Sequence, residues 1–422
     1  MPAPNAAPTS AAALQRADLP AKLRWYYARL FPIELITRWL RYGSDSTLAH
    51  REISFTLAGD IYLRWKSFGD KAAFLEELHA KRPVKIDIGA VYNNEPCKKH
   101  SIGAPFTPSQ KELVFDIDMT DYEDVMAAAT ANMSPTDVCD NNWEYMAAAV
   151  EVIDTALRED FGFKIIMWVY SGRRGVHCWV ADQRARFMSN EQRSAVADFL
   201  HVRFEGRENR GRRQMEVTHP MHPSLRRART ICEPVFRKML RKQALLDGEK
   251  AICDMLELIS NAVVRAEIRE KVVRMRGDAD EVWERIEKEV GKAARNEFGM
   301  RAMADYMVLR YTYPRLDVNV SREMNHLLKA PFCVHPKTGR VCVPFRAAEA
   351  ARFRPGEMAP VLDGLLNEID GGGGGEMSAK LEEGVRVLEE FVKGCEMEVR
   401  EKARLNKLDQ VDRRNVMELM KD

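Results

Sequence analysis

Apolar positions along the chain follow two rhythms. Leu23, Tyr26, Tyr27 and Leu30 recur at helical spacing, and Ile33, Ile36, Trp39 and Leu40 resume that spacing after Pro32. Two consecutive helices are expected, with Pro32 at the first turn of the second. Residues 52–65 hold two short candidate strands, and over 85–92 Ile86 and Ile88 alternate with Asp87 to make a third. Residues 112–118 form a further strand. Trp143, Met146, Ala147, Val150, Ile153 and Leu157 line one face of a helix over 142–158, with Asn141 or Asn142 as its cap. Residues 164–170 and 176–180 read as strands around a Ser-Gly-Arg-Arg-Gly turn.

The character changes near residue 190. From 191 to 309 the pattern is helical and charge-rich, with Glu284 and Lys288 set for an i,i+4 pair. Strand character returns over 315–320 and 331–345. A run of five glycines, 371–375, makes a flexible linker. After it, Val385, Leu388, Val392, Cys395 and Val399 form the apolar stripe of a terminal helix that docks on the body or on a partner. The expected organisation is a disordered tail (1–18), an α/β domain in two parts (19–190 and 310–369) around a helical insertion (191–309), a Gly-rich linker (370–380) and a terminal helix (381–422).

Composition narrows the class. Of 422 residues, 45% are apolar and 30% charged, which excludes a mostly disordered chain. Uninterrupted apolar runs reach six residues, as at 165–170, against about 20 for a membrane span. The start, rich in Ala, Pro, Ser and Thr, does not read as a signal peptide. Eight scattered cysteines suit a reducing compartment rather than a disulfide framework. The net charge of +2 does not announce a nucleic-acid binder. An arginine cluster (Arg207, Arg210, Arg212, Arg213, Arg226, Arg227, Arg229, Arg237 and Arg241) could meet phosphates, but charge alone favours a solvated loop and helix face.

Four segments carry candidate chemistry. In Leu113-Val-Phe-Asp-Ile-Asp118, strand alternation points Asp116 and Asp118 the same way, with alpha carbons about 6.6 Å apart. Two such carboxylates can converge on a pair of hard cations, although an Asp-x-Asp taken alone reads as solvated acids at a strand end. In Tyr170-Ser-Gly-Arg-Arg-Gly-Val-His177, Gly172 and Gly175 allow close backbone approach, and Arg173 and Arg174 offer forked donors for phosphate. His177, facing opposite to Val176 and Cys178, could add a bond; the bland alternative is a polar hairpin turn. On the expected strand 315–320, Asp317 is the best candidate for a third ligand, although the segment taken alone reads as the solvent face of a strand. Lys329 suits a triphosphate, and Cys333 and Cys342 flank a Pro-Lys-Thr-Gly turn as a paired core rather than as metal ligands.

Taken in order, these segments resemble the catalytic small subunit of eukaryotic DNA primase, in the archaeo-eukaryotic primase superfamily. The resemblance rests on Tyr26–Pro32, Arg51–Phe55, Asp60–Arg64, Asp87–Tyr92, Leu113–Asp118, Asp160–Phe163, Trp168–Trp179, Tyr313–Asp317 and Asn325–Arg340. It implies an α/β fold, a mixed-sheet prim-type catalytic domain with an inserted α-helical subdomain. It implies a DNA-directed RNA polymerase, a nucleotidyltransferase that makes short RNA primers on single-stranded DNA. Asp116, Asp118 and Asp317 match the metal-binding triad for two Mg²⁺ or Mn²⁺ ions. Ser171, Arg173, Arg174 and His177, with Gly172 and Gly175, match the triphosphate cradle. Lys329, His335 and His326 match further nucleotide contacts, Glu52, Tyr62 and Arg64 a polar group beside the active site, and Asp87 a ribose contact.

The resemblance also implies partners: a primase large subunit, the DNA polymerase alpha complex, a single-stranded template and ribonucleoside triphosphates, all in the nucleus, with no membrane. One departure stands out. The family's small zinc site is built from cysteines after the Asp-x-Asp strand, but here only Cys139 is present, with Asn142 near another ligand position. A closed site needs four ligands, so no structural zinc is expected. The rival readings are a repair-type primase-polymerase of the same superfamily and a non-catalytic structural subunit. The intact aspartates speak against the second.

Overall fold

Nine strands in two sheets assemble around the site, and two more pair elsewhere, in the computed structural model, which describes residues 18–101, 103, 105–130, 133–204, 215–275, 277–370 and 378–419. The tail to residue 17, the glycine run, and Arg207, Arg210, Arg212 and Arg213 lie outside the described residues. Strands β1 (Arg51–Thr56), β2 (Tyr62–Lys66), β3 (Lys85–Tyr92), β4 (Pro108–Gln110) and β10 (Leu328–Lys329) form one sheet, in the order β10-β3-β1-β2 with β4 also on β3. Strands β5 (Leu113–Asp118), β6 (Ile166–Tyr170), β7 (Gly175–Val180) and β11 (Pro344–Phe345) form a second, in the order β11-β6-β7-β5. Every pairing within these two sheets is antiparallel. The short β8 (Val202–Arg203) and β9 (Met215–Glu216) pair parallel in the helical region.

The fold is α/β with an inserted set of helices, and its principal core wraps both sheets. Trp168, Trp179, Val114, Phe115 and Ile117 are almost fully buried in it. The helix Ile33–Arg41 seats Trp39 edge-on against Trp179, with ring centroids 5.1 Å apart. A second core is almost entirely helical, running from Val202 to Tyr313, with Phe236 and Trp283 at its centre. Burial on this scale, at about 25 cal/mol per Å² of apolar surface, is the main stabilising term of each core.

The terminal helix, Ala379–Leu419, docks on the body. Its apolar stripe buries Leu388, Val392 and Cys395, Phe391 meets Trp39, and Arg38 forks onto Glu396 at 2.9 and 3.0 Å. From residue 400 to 410 the helix is exposed.

Three local expectations change. Residues 315–320 are not a strand: Asp317 caps a short helix, Val318–Arg322. Leu316 and Val320 are buried nonetheless, because a one-turn helix after an extended entry can turn two alternating residues inward. Asn142 stands at the N-cap of the helix Trp143–Glu159, but its side chain makes no capping bond; its amide donates instead to the Val138 carbonyl at 3.0 Å. Glu284 faces Arg237 across helices at 3.6 Å rather than Lys288. The described part of the arginine cluster is largely answered by acids: Arg227 by Glu159 and Asp160, Arg229 by Glu233 and Asp305, Arg237 by Glu233 and Arg241 by Asp280.

Candidate active site

The site begins with strand register. β5 and β7 run antiparallel with Asp116 opposite His177 and Asp118 opposite Gly175. Period-two alternation then sends Phe115 and Ile117 into the core and Asp116, Asp118 and His177 to the other face. His177 Nε2 lies 3.6 Å from Asp116 Oδ1.

The turn between β6 and β7 is closed by its own backbone. Ser171 N–H donates to the Gly175 carbonyl at 2.9 Å, and Gly175 N–H donates to Ser171 Oγ at 3.0 Å. Both glycines are required. Gly172 has φ +87°, and a Cβ there would sit 2.7 Å from His335 Cβ; a Cβ on Gly175 would sit 2.4 Å from the Ile117 carbonyl oxygen. Thr338 Oγ1 donates to the Gly172 carbonyl at 2.7 Å, fastening the turn to the His335 segment. Arg174 Nε is 3.5 Å from Asp118 Oδ1, and Arg173 lies within electrostatic range of His335.

Asp317 arrives on the exposed edge of β5. Its N–H donates to the Asp116 carbonyl at 3.0 Å, and Ser321 Oγ donates to the Val114 carbonyl at 2.7 Å. Arg315 anchors the approach by donating to the Asp121 carbonyl at 2.6 Å and pairing with Asp124. The third carboxylate therefore stands beside the first two although no strand carries it.

The first sheet supplies the remaining groups. Lys329 pairs with Asp87 in register, and its Nζ donates to the Ser171 carbonyl on the other sheet at 2.6 Å. Asp87 is buried between Ser54 Oγ at 3.4 Å and Lys85 Nζ at 3.1 Å. Fully buried Glu52 accepts from Arg64 Nε at 2.7 Å and Tyr92 Oη at 3.2 Å. Tyr62 and His326 remain exposed at the rim, and Tyr62 makes no hydrogen bond to this group among the described residues. His335 Nδ1 accepts from the Lys337 N–H at 3.2 Å.

Burial, then the neighbouring Asp118 and Asp317, push the Asp116 carboxyl up to about 7, while Lys329 pulls the other way. Burial, followed by Lys329, holds His177 well below its ordinary value, so the imidazole is neutral and its contact with Asp116 is not an ion pair. Burial, with Lys329 and Arg173, lowers His335 to about 4.

Three oxygen-only side chains fit Mg²⁺ or Mn²⁺ in kind. Among the described residues no three such groups are drawn tightly enough to close around an ion as they stand. Asp118 Oδ1 caps Thr120 and Asp317 Oδ1 caps Asn319, leaving each a second oxygen. Zinc does not fit the lobe beyond β5. Burial and Asp140 push the single thiol there, Cys139, up to about 12. Arg340 forks onto Asp140 at 2.8 and 3.1 Å and reaches Tyr170 Oη at 3.2 Å.

Sequence reasoning overlooked Tyr92 as a partner of Glu52, although it ends a strand already assigned. It also overlooked Arg315, whose role depends on contacts distant in sequence.

Paired strand carboxylates, a third beside them and a glycine-tight turn bearing two arginines define a class: proteins equipped for nucleoside triphosphates and phosphoryl transfer. A sequence profile of the DNA primase small subunit family matches residues 115–347. The DNA primase small subunit of Drosophila melanogaster is 40% identical over 360 residues, covering 82% of this chain and 80% of its own length. Those of Schizosaccharomyces pombe and Caenorhabditis elegans are each 38% identical, covering 82% and 83% of this chain and 77% and 88% of their own lengths. The chain belongs to the DNA primase small subunit family.

Proposed function

We propose that this DNA primase catalytic subunit is a DNA-directed RNA polymerase that joins two ribonucleotides on a single-stranded DNA template and extends them to a short primer. The observation that carries the reading is the meeting of Asp116, Asp118 and Asp317 with the Ser171–His177 turn. Asp116, Asp118 and Asp317 would hold two Mg²⁺ or Mn²⁺ ions, which supply activation of a 3′-hydroxyl and stabilisation of the leaving pyrophosphate. Arg173, Arg174 and Lys329 offset triphosphate charge, which is electrostatic stabilisation rather than covalent catalysis. Ser171, Gly172 and Gly175 shape the turn, and neutral His177 donates a hydrogen bond to a phosphate oxygen. His335 and His326 line the nucleotide side, and Asp87 accepts from a ribose hydroxyl. Glu52 holds Arg64 at the rim, with Tyr62 beside it. No side chain becomes a nucleophile: Cys178 is buried, and burial holds its thiol far above the ordinary range.

The relatives' name, small subunit, speaks for a place in a larger primase complex; we propose that this chain pairs with a primase large subunit and the DNA polymerase alpha complex in the nucleus. Among the described residues no helix is long and apolar enough to cross a membrane. The test is primer synthesis on poly(dT) with labelled ATP and Mg²⁺ or Mn²⁺, with and without a large subunit. Short RNA from the wild type, lost in Asp116→Ala/Asp118→Ala, is expected. No RNA even with the large subunit and Mn²⁺ would sink the catalytic reading and leave a structural subunit.

A further inference from the structure

The rim of the site carries a second cationic group that the triphosphate turn does not use. β2 is bulged against β1, its register slipping between Ile53 and Phe55. Inside it Trp65 has φ +64°, the left-handed region, where a bulky side chain is a strained outlier. Neighbours in a regular strand face opposite ways. The left-handed step instead brings the Arg64 guanidinium to 4.3 Å from the Trp65 ring centroid. Tyr92 and Phe106 brace the indole edge-on, with centroids 5.7 and 5.5 Å away. Bulges beside active sites re-aim side chains in this way.

A second cation joins from another segment. The turn Pro96–Ser101 sets Lys99 Nζ 3.1 Å from the same indole centroid and 5.4 Å from that of Phe106. Each cation is attracted to the ring, but the two repel each other. Arg64 is answered by Glu52 and Lys98 by Glu95, while Lys99 makes no ion pair among the described residues. Burial, followed by the Arg64 charge, holds its ammonium below the ordinary value, while Glu52 pulls the other way. The group therefore carries one positive charge more than its acids answer, at a partly exposed place.

We propose that Lys99 and Arg64, mounted on Trp65, form a subsite for a phosphodiester of the single-stranded nucleic acid at the rim of the active site. This rests on the polymerase reading and names where the strand is held. The shared chemistry is an anionic phosphate, which a nucleotide triphosphate could also supply. The polynucleotide is favoured because the triphosphate turn already has cations of its own in Arg173 and Arg174, with Lys329 bonded to the Ser171 carbonyl. The rim group also adjoins Tyr62, half exposed at 50%, whose ring offers a stacking face for a base. Arg64 Nη2 donates to the Asn325 carbonyl at 3.1 Å, joining the subsite to the segment that carries Lys329.

The test is fluorescence anisotropy of labelled oligo(dT) with the full chain at low salt, beside steady-state KM for ATP. Lys99→Gln is expected to weaken oligo(dT) binding at least about threefold and to make the log–log salt dependence shallower by about 0.7, one phosphate contact on a single strand. Lys99→Arg keeps affinity within about twofold, and KM for ATP stays unchanged in both. Unaltered oligo(dT) affinity and salt slope in Lys99→Gln would overturn the proposal. A raised KM for ATP with unchanged oligo(dT) binding would overturn it too, assigning the cations to the triphosphate. Binding needs no catalysis, so Asp116→Asn/Asp118→Asn must show the same Lys99 dependence. Failure of primer synthesis alone would strike the polymerase reading and not this subsite. Trp65→Leu should weaken binding similarly, and the surface change Lys99→Gln keeps the test decisive if Trp65→Leu does not fold.

Discussion

Lys111, two residues before β5, is fully buried, and its ammonium has no hydrogen-bond partner among the described residues. Burial, reinforced by the Arg193 guanidinium, lowers it from 10.5 to about 7, although Glu112 pulls the other way. At 1.36 kcal/mol per tenfold change in proton affinity, the depression costs on the order of 4 kcal/mol at pH 7. The unfolded chain holds this proton up to about 10.5 and the folded chain only to about 7, so stability rises with pH between those values. The cost is complete below pH 7 and disappears above the unfolded value. Lys111→Met keeps the volume and removes the charge. It should stabilise the chain by about 2–4 kcal/mol at neutral pH, less than the full cost because the pocket relaxes on substitution. The assay is thermal and urea unfolding of both chains at steps from pH 6 to 10. A variant no more stable than the parent at pH 7, or a gain that does not shrink towards pH 10, would refute the reasoning.

Three further outcomes are expected. Gly175→Ala drives a methyl group into the Ile117 carbonyl; it should cost about 1–3 kcal/mol in unfolding experiments and about 100-fold in primer synthesis through displaced aspartates. Arg51 and Glu112 are both fully buried and paired at 2.8 Å; Arg51→Met should lose about 3–5 kcal/mol, and Arg51→Met/Glu112→Leu should regain most of it in a double-mutant cycle. Burial raises the Glu112 carboxyl, but Arg51 and Tyr42 outweigh it and hold the group below its ordinary range, so this pair's contribution should persist above about pH 4.5 and fall away in acid titrations as the pH drops through the lowered value. Arg340→Ala should lower the melting temperature by breaking the fork onto Asp140, whereas prolonged chelation of the wild-type chain should leave it unchanged, because a lone thiol cannot hold a structural zinc.

Much of the site was legible because its rules are local. Period-two alternation alone puts Asp116 and Asp118 on one face, and two glycines around two arginines announce a turn. Asp317 was found by residue type but given the wrong element, since Leu316, Val318 and Val320 alternate as a strand would while an aspartate starting a short helix gives the same pattern. That the strands divide into two sheets depends on register between distant segments, which no window of sequence contains. Trp65 and Lys99 stayed hidden for a related reason: a tryptophan does not advertise a left-handed step, and only that step brings Arg64 onto its ring.

The way Asp317 is delivered has a mechanical consequence. The segment leaving the helical unit is clipped to the helix that leads into it: Tyr313 Oη donates to the Leu200 carbonyl at 3.0 Å, and Arg322 pairs with Asp198. Asp116 and Asp118 are fixed by six register pairs to β7, whereas the Asp317 segment is tied to β5 by the Asp317 N–H on the Asp116 carbonyl and Ser321 Oγ on the Val114 carbonyl. The helical unit is therefore a lever with its short arm in the active site. A load on its outer surface would reach Asp317 before the two aspartates that β7 holds in register. Through that arm a body docked on those helices could retune catalysis without reaching the nucleotide.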